Sequence, residues 1–149
     1  MKEWIIYLSG EIHSDWRKRI IDGAEHCQLP TRFISPVTDH ATSDECGVKI
    51  LGEESDPFWK DHKGAGVNAI RTRTQIGKAD IVVVRFGEQY RQWNAAFDAG
   101  YAAALNKPII TLHDPSLTHA LKEVDGAACA VAAEPEQVVE ILQYVIAAE

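Results

Sequence analysis

The stretch Asn94–Leu112, NAAFDAGYAAALNKPIITL, leaves little freedom in what this chain can become. Ala95, Ala96, Ala99, Ala102, Ala103, Ala104 and Leu105 are strong helix formers, Asn106 tolerates the left-handed conformation that ends a helix, and Pro108 forbids continuation. Ile109–Leu112 then reads as a buried strand. A helix, a tight stop and an apolar strand in that order make the αβ half of a parallel sheet. Asp98 is the exception in this helix: a carboxylate in its first turn or so, flanked by Phe97 and Tyr101, after the polar approach Glu88–Asn94. At a first turn the unpaired backbone N–H groups and the helix dipole favour the ionised form by roughly 0.3–1 kcal/mol. Taken alone, such an Asp is a surface charge complementing a dipole. In a parallel sheet, however, helices begin at the carboxyl ends of strands, where ligands bind, so Asp98 is expected at the mouth of a site, with Gly100 leaving room for a neighbouring backbone or ligand.

The remaining elements fit the same architecture. Trp4–Leu8 is an apolar, β-forming run ended by Ser9-Gly10, and Ser14-Asp15 signals a helix through about Cys27, with Trp16, Ile20, Ile21 and Ala24 inward and Arg17, Lys18, Arg19 and Asp22 mostly on the wet face. Thr31–Ile34 is a shorter strand. From Val37 to about Gly66 the pattern is least regular, and a connection of that length, with room for a helical turn of its own, is expected to act as a lid or a partner contact. Val67–Lys78 reads as a helix and Ala79–Val84 as the clearest central strand, β-branched in its core. A short helix is expected around Thr118–Glu123, a weak strand at Cys129–Ala132, and a last helix from Pro135 with Val138, Ile141, Leu142, Val145 and Ile146 inward. The string implies one domain over residues 1–149: a doubly wound, five-stranded parallel α/β sheet of order 2-1-3-4-5.

Composition narrows the partners. Fifteen Lys and Arg against 22 Asp and Glu give a net charge of −7, the wrong sign for a general nucleic-acid or anionic-membrane binder. There is no apolar run of membrane-spanning length and no secretory core near Met1, so a cytoplasmic protein is expected. Cys27, Cys46 and Cys129 are odd in number and lack CxxC spacing, which points to reduced thiols. His40, Cys46 and His62 lack the spacing of a metal site, so neither a metal nor a cofactor is expected. The turn Gly10-Glu11-Ile12-His13-Ser14 lacks the spacing of a phosphate loop.

Three signatures, Tyr7-Leu8-Ser9-Gly10, Ala79-Asp80-Ile81-Val82-Val83, and Phe97-Asp98-Ala99-Gly100-Tyr101-Ala102 followed by Lys107-Pro108, carry a resemblance along nearly the whole chain. The sequence resembles the nucleoside 2-deoxyribosyltransferase superfamily, in its small YtoQ-type branch. The resemblance implies a nucleoside or nucleotide pocket, with Asp98 at the place of the nucleophilic carboxylate and Tyr7 at that of the hydroxyl that orients it. It also implies relatives that complete their pockets with a neighbouring subunit, hence a homodimer or larger even-numbered assembly. The substrate-binding groups expected around Asp98 are Gly10, Glu11, His13, Asp80, Phe86, Glu88, Gln92, Trp93 and Asn94. Among these and their neighbours, Glu88, His13 and Glu11 are candidate acids for the leaving base, while Trp93, Tyr90, Phe86 and Trp16 are candidate stacking surfaces. The chain departs from the superfamily pattern in having Asp for Glu at position 98. Thr72 and Gln92 stand where deoxyribosyltransferases commonly place acids, and Glu11 and His13 where nucleotide-hydrolysing relatives hold phosphate. A catalytically silent nucleotide-binding or sensing domain is the second reading.

Overall fold

In the computed structural model, which describes residues 1–147, five parallel strands form one sheet in the order β2-β1-β3-β4-β5. The strands are β1 Trp4–Gly10, β2 Thr31–Ile34, β3 Ile81–Phe86, β4 Ile109–His113 and β5 Ala130–Ala132. The helices are α1 Trp16–His26, α2 His40–Leu51, α3 Pro57–Lys78, α4 Trp93–Ala104, α5 Lys122–Gly126 and α6 Pro135–Ala147. Strands covered on both faces need apolar residues at every position rather than at alternate ones, which is why β3 and β4 stand out in the sequence. Ile6, Leu8, Ile81, Val83, Ile110 and Leu112 pack towards Trp16 and Ile20 of α1 and Val138 and Leu142 of α6. Tyr7, Val82, Val84, Phe86 and Ile109 pack towards Ile76 of α3 and Ala95, Ala99 and Ala102 of α4.

Two details fix the end of the sheet that matters below. Gly10 has φ +116°, and a Cβ there would lie 2.1 Å from the Arg85 carbonyl oxygen, so only glycine fits where β1 leaves the sheet against β3. Glu11 N–H then donates to that same carbonyl at 3.1 Å. At the other end of α4, Asn106 adopts φ +56° and Lys107 N–H donates to the Ala102 carbonyl, the stop expected from Asn106-Lys107-Pro108.

Residues 37–66 are not irregular. They hold α2 and the first ten residues of α3, a helical hairpin with Asp39 capping Thr42 N–H and Asp56 capping Phe58 N–H, each at 2.9 Å. The apolar periodicity that would have announced these helices is missing because they bury little: Gly47 and Val48 in α2, Gly64 and Ile76 in α3. Backbone meets backbone at their crossing, where a Cβ on Gly47 would lie 2.3 Å from Gly64 N. α2 packs chiefly on α3, and Ile50, Leu51, Phe58 and Trp59 around the hairpin tip are exposed. The helix expected at Val67–Lys78 is therefore the second half of a 22-residue helix. The short helix expected at Thr118–Glu123 forms later, at Lys122–Gly126, after a 3-10 turn at Pro115–Leu117.

Candidate active site

α4 begins at Trp93, so Asp98 is its sixth residue and sits in the second turn, beyond the unpaired N–H groups expected to stabilise it. Its environment is set from below instead. Side chains of β1 alternate, which puts Tyr7 and Ser9 on the face covered by α3 and α4. The Ser9 hydroxyl, wholly buried, donates to Asp98 Oδ2 at 2.7 Å. Burial pushes the Asp98 carboxyl above the usual Asp value, and the Ser9 hydrogen bond opposes this without cancelling it. The helix dipole does not govern this carboxylate.

Tyr7 does not orient Asp98 by a hydrogen bond. Its side chain is fully buried, and among the described residues its hydroxyl has no hydrogen-bond partner. Thr72 of α3 lies beside the phenol, outside hydrogen-bonding geometry. Burial first, and then the Asp98 charge, push the phenol up to about 12, so Tyr7 stays protonated and is a donor at any ordinary pH. Ser9 was legible in the sequence only through its spacing, two residues beyond Tyr7 and therefore on the same face.

The β1–α1 turn is filled by its own groups. Glu11 is 7% exposed, and its carboxylate accepts from the N–H groups of His13 and Ser14 and from the Ser14 hydroxyl, the last two at 2.7 and 2.6 Å. Burial alone would raise Glu11, but the Ser14 hydroxyl, the two backbone donors and nearby Arg85 prevail and hold it below the usual carboxylate range. Glu11 thus occupies the N–H groups that an anion would need. Arg17, expected on the wet face, turns inward over Trp16, with its guanidinium donating to the carbonyls of Leu8, Gly10 and Glu11. Trp16 is 1% exposed and donates through Nε1 to the Glu11 carbonyl, so it supports the turn and offers no stacking surface.

Other expected site residues divide by position. His13 is exposed, 4.6 Å from the Tyr90 ring and 5.8 Å from the His40 ring between centroids, so the β1–α1 turn, the β3–α4 loop and the start of α2 meet at the rim. Glu88, Trp93 and Asn94 are exposed at the same end of the sheet. Gln92 is turned into its own loop, where Oε1 accepts from Gly87 N–H at 3.0 Å. Phe86 is 4% exposed and belongs to the core rather than to a stacking surface. Asp80 precedes β3 at the opposite, amino-terminal end of the strands. It accepts from Ile5 N–H at 2.8 Å and pairs with Lys2, so its work is to fasten the start of β1.

A second polar cluster lies at the end of β4. His113 Nε2 faces Asp125 Oδ2 at 2.8 Å, and Thr111 donates to Asp125 Oδ1, fastening α5 to the sheet. Among the described residues no three His, Cys, Asp or Glu side chains are grouped to hold a metal, and Cys27, Cys46 and Cys129 are free thiols. Two surface hollows, one by Val131 and Tyr144 and one by Leu29 and Ile146, lie away from Asp98.

The fold and this site define an open α/β sheet with a half-buried, hydroxyl-held carboxylate at the carboxyl ends of its strands. The family model described as nucleoside 2-deoxyribosyltransferase YtoQ matches residues 7–146. The chain belongs to that family. It is 40% identical over 147 residues to the uncharacterised protein YtoQ of Bacillus subtilis (strain 168), covering 99% of each chain. Among solved structures it resembles a conserved protein of Enterococcus faecalis V583, with a TM-score of 0.68 at 14% identity over 97% of this chain and 99% of that one. It also resembles the 2-deoxyribosyltransferase of Bacillus psychrosaccharolyticus, with a TM-score of 0.53 at 18% identity over 91% and 90% of the two chains. At such identities the structural likeness is one of fold. No helix of the described residues is long and apolar enough to cross a membrane.

Proposed function

We propose that this protein binds a nucleoside or nucleotide and cleaves its N-glycosidic bond with Asp98 as the nucleophile. The observation that carries the reading is Asp98 itself: a half-buried carboxylate on α4 over the end of β1, with Oδ2 held by Ser9. A carboxylate oxygen attacks the anomeric carbon of the deoxyribose. The carbon–nitrogen bond breaks, its electron pair leaves with the base, and the base nitrogen takes up a proton. The glycosyl ester is then opened by a second base, which is transfer, or by water, which is hydrolysis. Glu11, saturated by its own turn, is unsuited to supply the proton, which leaves His13 and Glu88 at the rim.

The second reading, a nucleotide-binding or sensing domain without turnover, is favoured by two observations: Gln92 is spent on Gly87 N–H, and burial opposes the anion at Asp98. Incubation with deoxynucleosides and their 5′-monophosphates, with and without an acceptor base, separates them. Base exchange indicates transfer, and release without exchange indicates hydrolysis. Tight binding with neither indicates the sensor.

A homodimer or larger even-numbered assembly belongs to the same proposal. Trp93 and Phe97, 73% and 64% exposed, share the outward face of α4 with Gly100, whose missing side chain leaves open space. A second copy covering this face should bury more than about 1,000 Å² in total. Light scattering at micromolar concentration should return at least a dimer, and a monomer refutes the assembly.

A further inference from the structure

We infer that Ser9 and Tyr7 divide the work at the end of β1: Ser9 is the positioning residue for Asp98, and Tyr7 donates its hydroxyl to an oxygen of the bound sugar. The inference rests on the proposed reading of the pocket and goes beyond it by assigning the two side chains opposite duties.

The geometry makes the division. Ser9 and Asp98 lie 89 residues apart in sequence, on a strand and on the helix above it, and are joined at 2.7 Å. A bond between two packed elements fixes the carboxylate's rotation in a way that a group on the same helix would not. With Oδ2 held by Ser9, Oδ1 is the oxygen left for a ligand. An Asp side chain is also one methylene shorter than Glu and cannot reach far from its helix, so a fixed rotation is worth more to it. Tyr7 stands on the same face of β1 with a hydroxyl that is buried and makes no hydrogen bond among the described residues. A buried donor without an acceptor is costly, on the scale at which unmade hydrogen bonds decide binding. An acceptor brought by the ligand removes that cost.

The kind of acceptor follows from the neighbours. The Asp98 charge is felt at the phenol, and Thr72 lies beside it. A group in contact with the phenol is therefore close to the atom Asp98 attacks, which makes it part of the sugar and not of the base. A sugar hydroxyl suits the place because it accepts from Tyr7 and still has a proton to offer Thr72 or Asp98.

The test uses the full-length protein and 2-deoxynucleosides lacking either the 3′ or the 5′ hydroxyl, with affinity measured by calorimetry. Tyr7→Phe should weaken binding of the complete deoxynucleoside about 5- to 10-fold, the effect of a single neutral hydrogen bond. Binding of one of the two truncated nucleosides should not change. Its melting temperature should be no lower than that of the wild type, because no protein partner is lost. For Ser9→Ala, the Asp98 carboxyl, followed by carbon NMR, should titrate at higher pH than in the wild type, with deoxynucleoside affinity within about twofold. Ser9→Cys, close in size and a weak donor, should move the titration in the same direction. A melting temperature lowered by Tyr7→Phe, equal weakening for all three nucleosides, or an unmoved Asp98 titration in Ser9→Ala overturns the division. A wild type that binds no deoxynucleoside overturns the reading beneath it and the division with it, whereas binding without the Tyr7 pattern overturns the division alone.

Discussion

Two carboxylates meet the carboxyl end of β1 from different sides, Glu11 in the β1–α1 turn and Asp98 on the wall formed by α4. Glu11 is surrounded by donors: two backbone N–H groups and a hydroxyl converge on it, and its pKa falls. Asp98 has one hydroxyl and an apolar wall, and its pKa rises. A carboxylate whose acceptor capacity is used up by its own loop has little left to give a ligand, whereas one held by a single bond keeps an oxygen for chemistry. The turn spends its carboxylate on its own backbone, and the wall leaves one with a single partner, the one proposed above to react.

The comparison is broken most directly at Asp98. If the wall is the reactive region, Asp98→Asn keeps the shape and an acceptor for Ser9 but removes the anion, so base release should fall by orders of magnitude while ligand binding changes little. Equal rates of base release in variant and wild type would return Asp98 to a structural role. On the turn side, Glu11→Ala strips the acceptor from three donors and should lower unfolding stability in urea by about 1.5–3 kcal/mol, the range for hydrogen bonds to a charged group. Because the folded pKa of Glu11 is depressed, this contribution is present above the unfolded Glu value and is lost as pH falls through the lower folded value. The gap between wild type and Glu11→Ala should therefore narrow in acid. The smallest effect has the opposite sign. The folded pKa of Asp98 is raised, so its favourable contribution exists below the unfolded Asp value and is lost as pH rises through the folded one. At neutral pH the half-buried anion is a net cost, and Asp98→Asn should melt higher than the wild type. That gain should vanish towards acid. A variant that melts lower at neutral pH would show that the wall, like the turn, is organised to hold its charge.

Much of the scaffold could be read from the residues alone. The β-branched run Ile81–Val84, the Asn106-Lys107-Pro108 stop and the Pro135 start each announce a single local choice, and the sheet order followed from their alternation. The α2–α3 hairpin could not be read this way, because Gly47 and Gly64 bring its helices together through backbone and leave no apolar stripe. The site was half legible. Asp98 declared itself as the one charge in an alanine-rich helix, but where that helix began decided its surroundings, and Trp93 starts it two residues before the first alanine. Asp80 sits in a recognisable signature yet lies at the wrong end of its strand, something only the direction of β3 reveals. Arg17 reads as a surface cation until three carbonyls at the end of β1 are seen to face it.

Lys107 lies beyond α4, yet its ammonium binds the carbonyls of Gly77 and Ala79 at 2.8 and 2.9 Å, where α3 ends. The final turn of one helix is thus completed by the connection that follows another, about thirty residues later in the chain. Lys107 thus ties the end of α3 to the approach to β4, so that two crossovers on the same face of the sheet share one fastening.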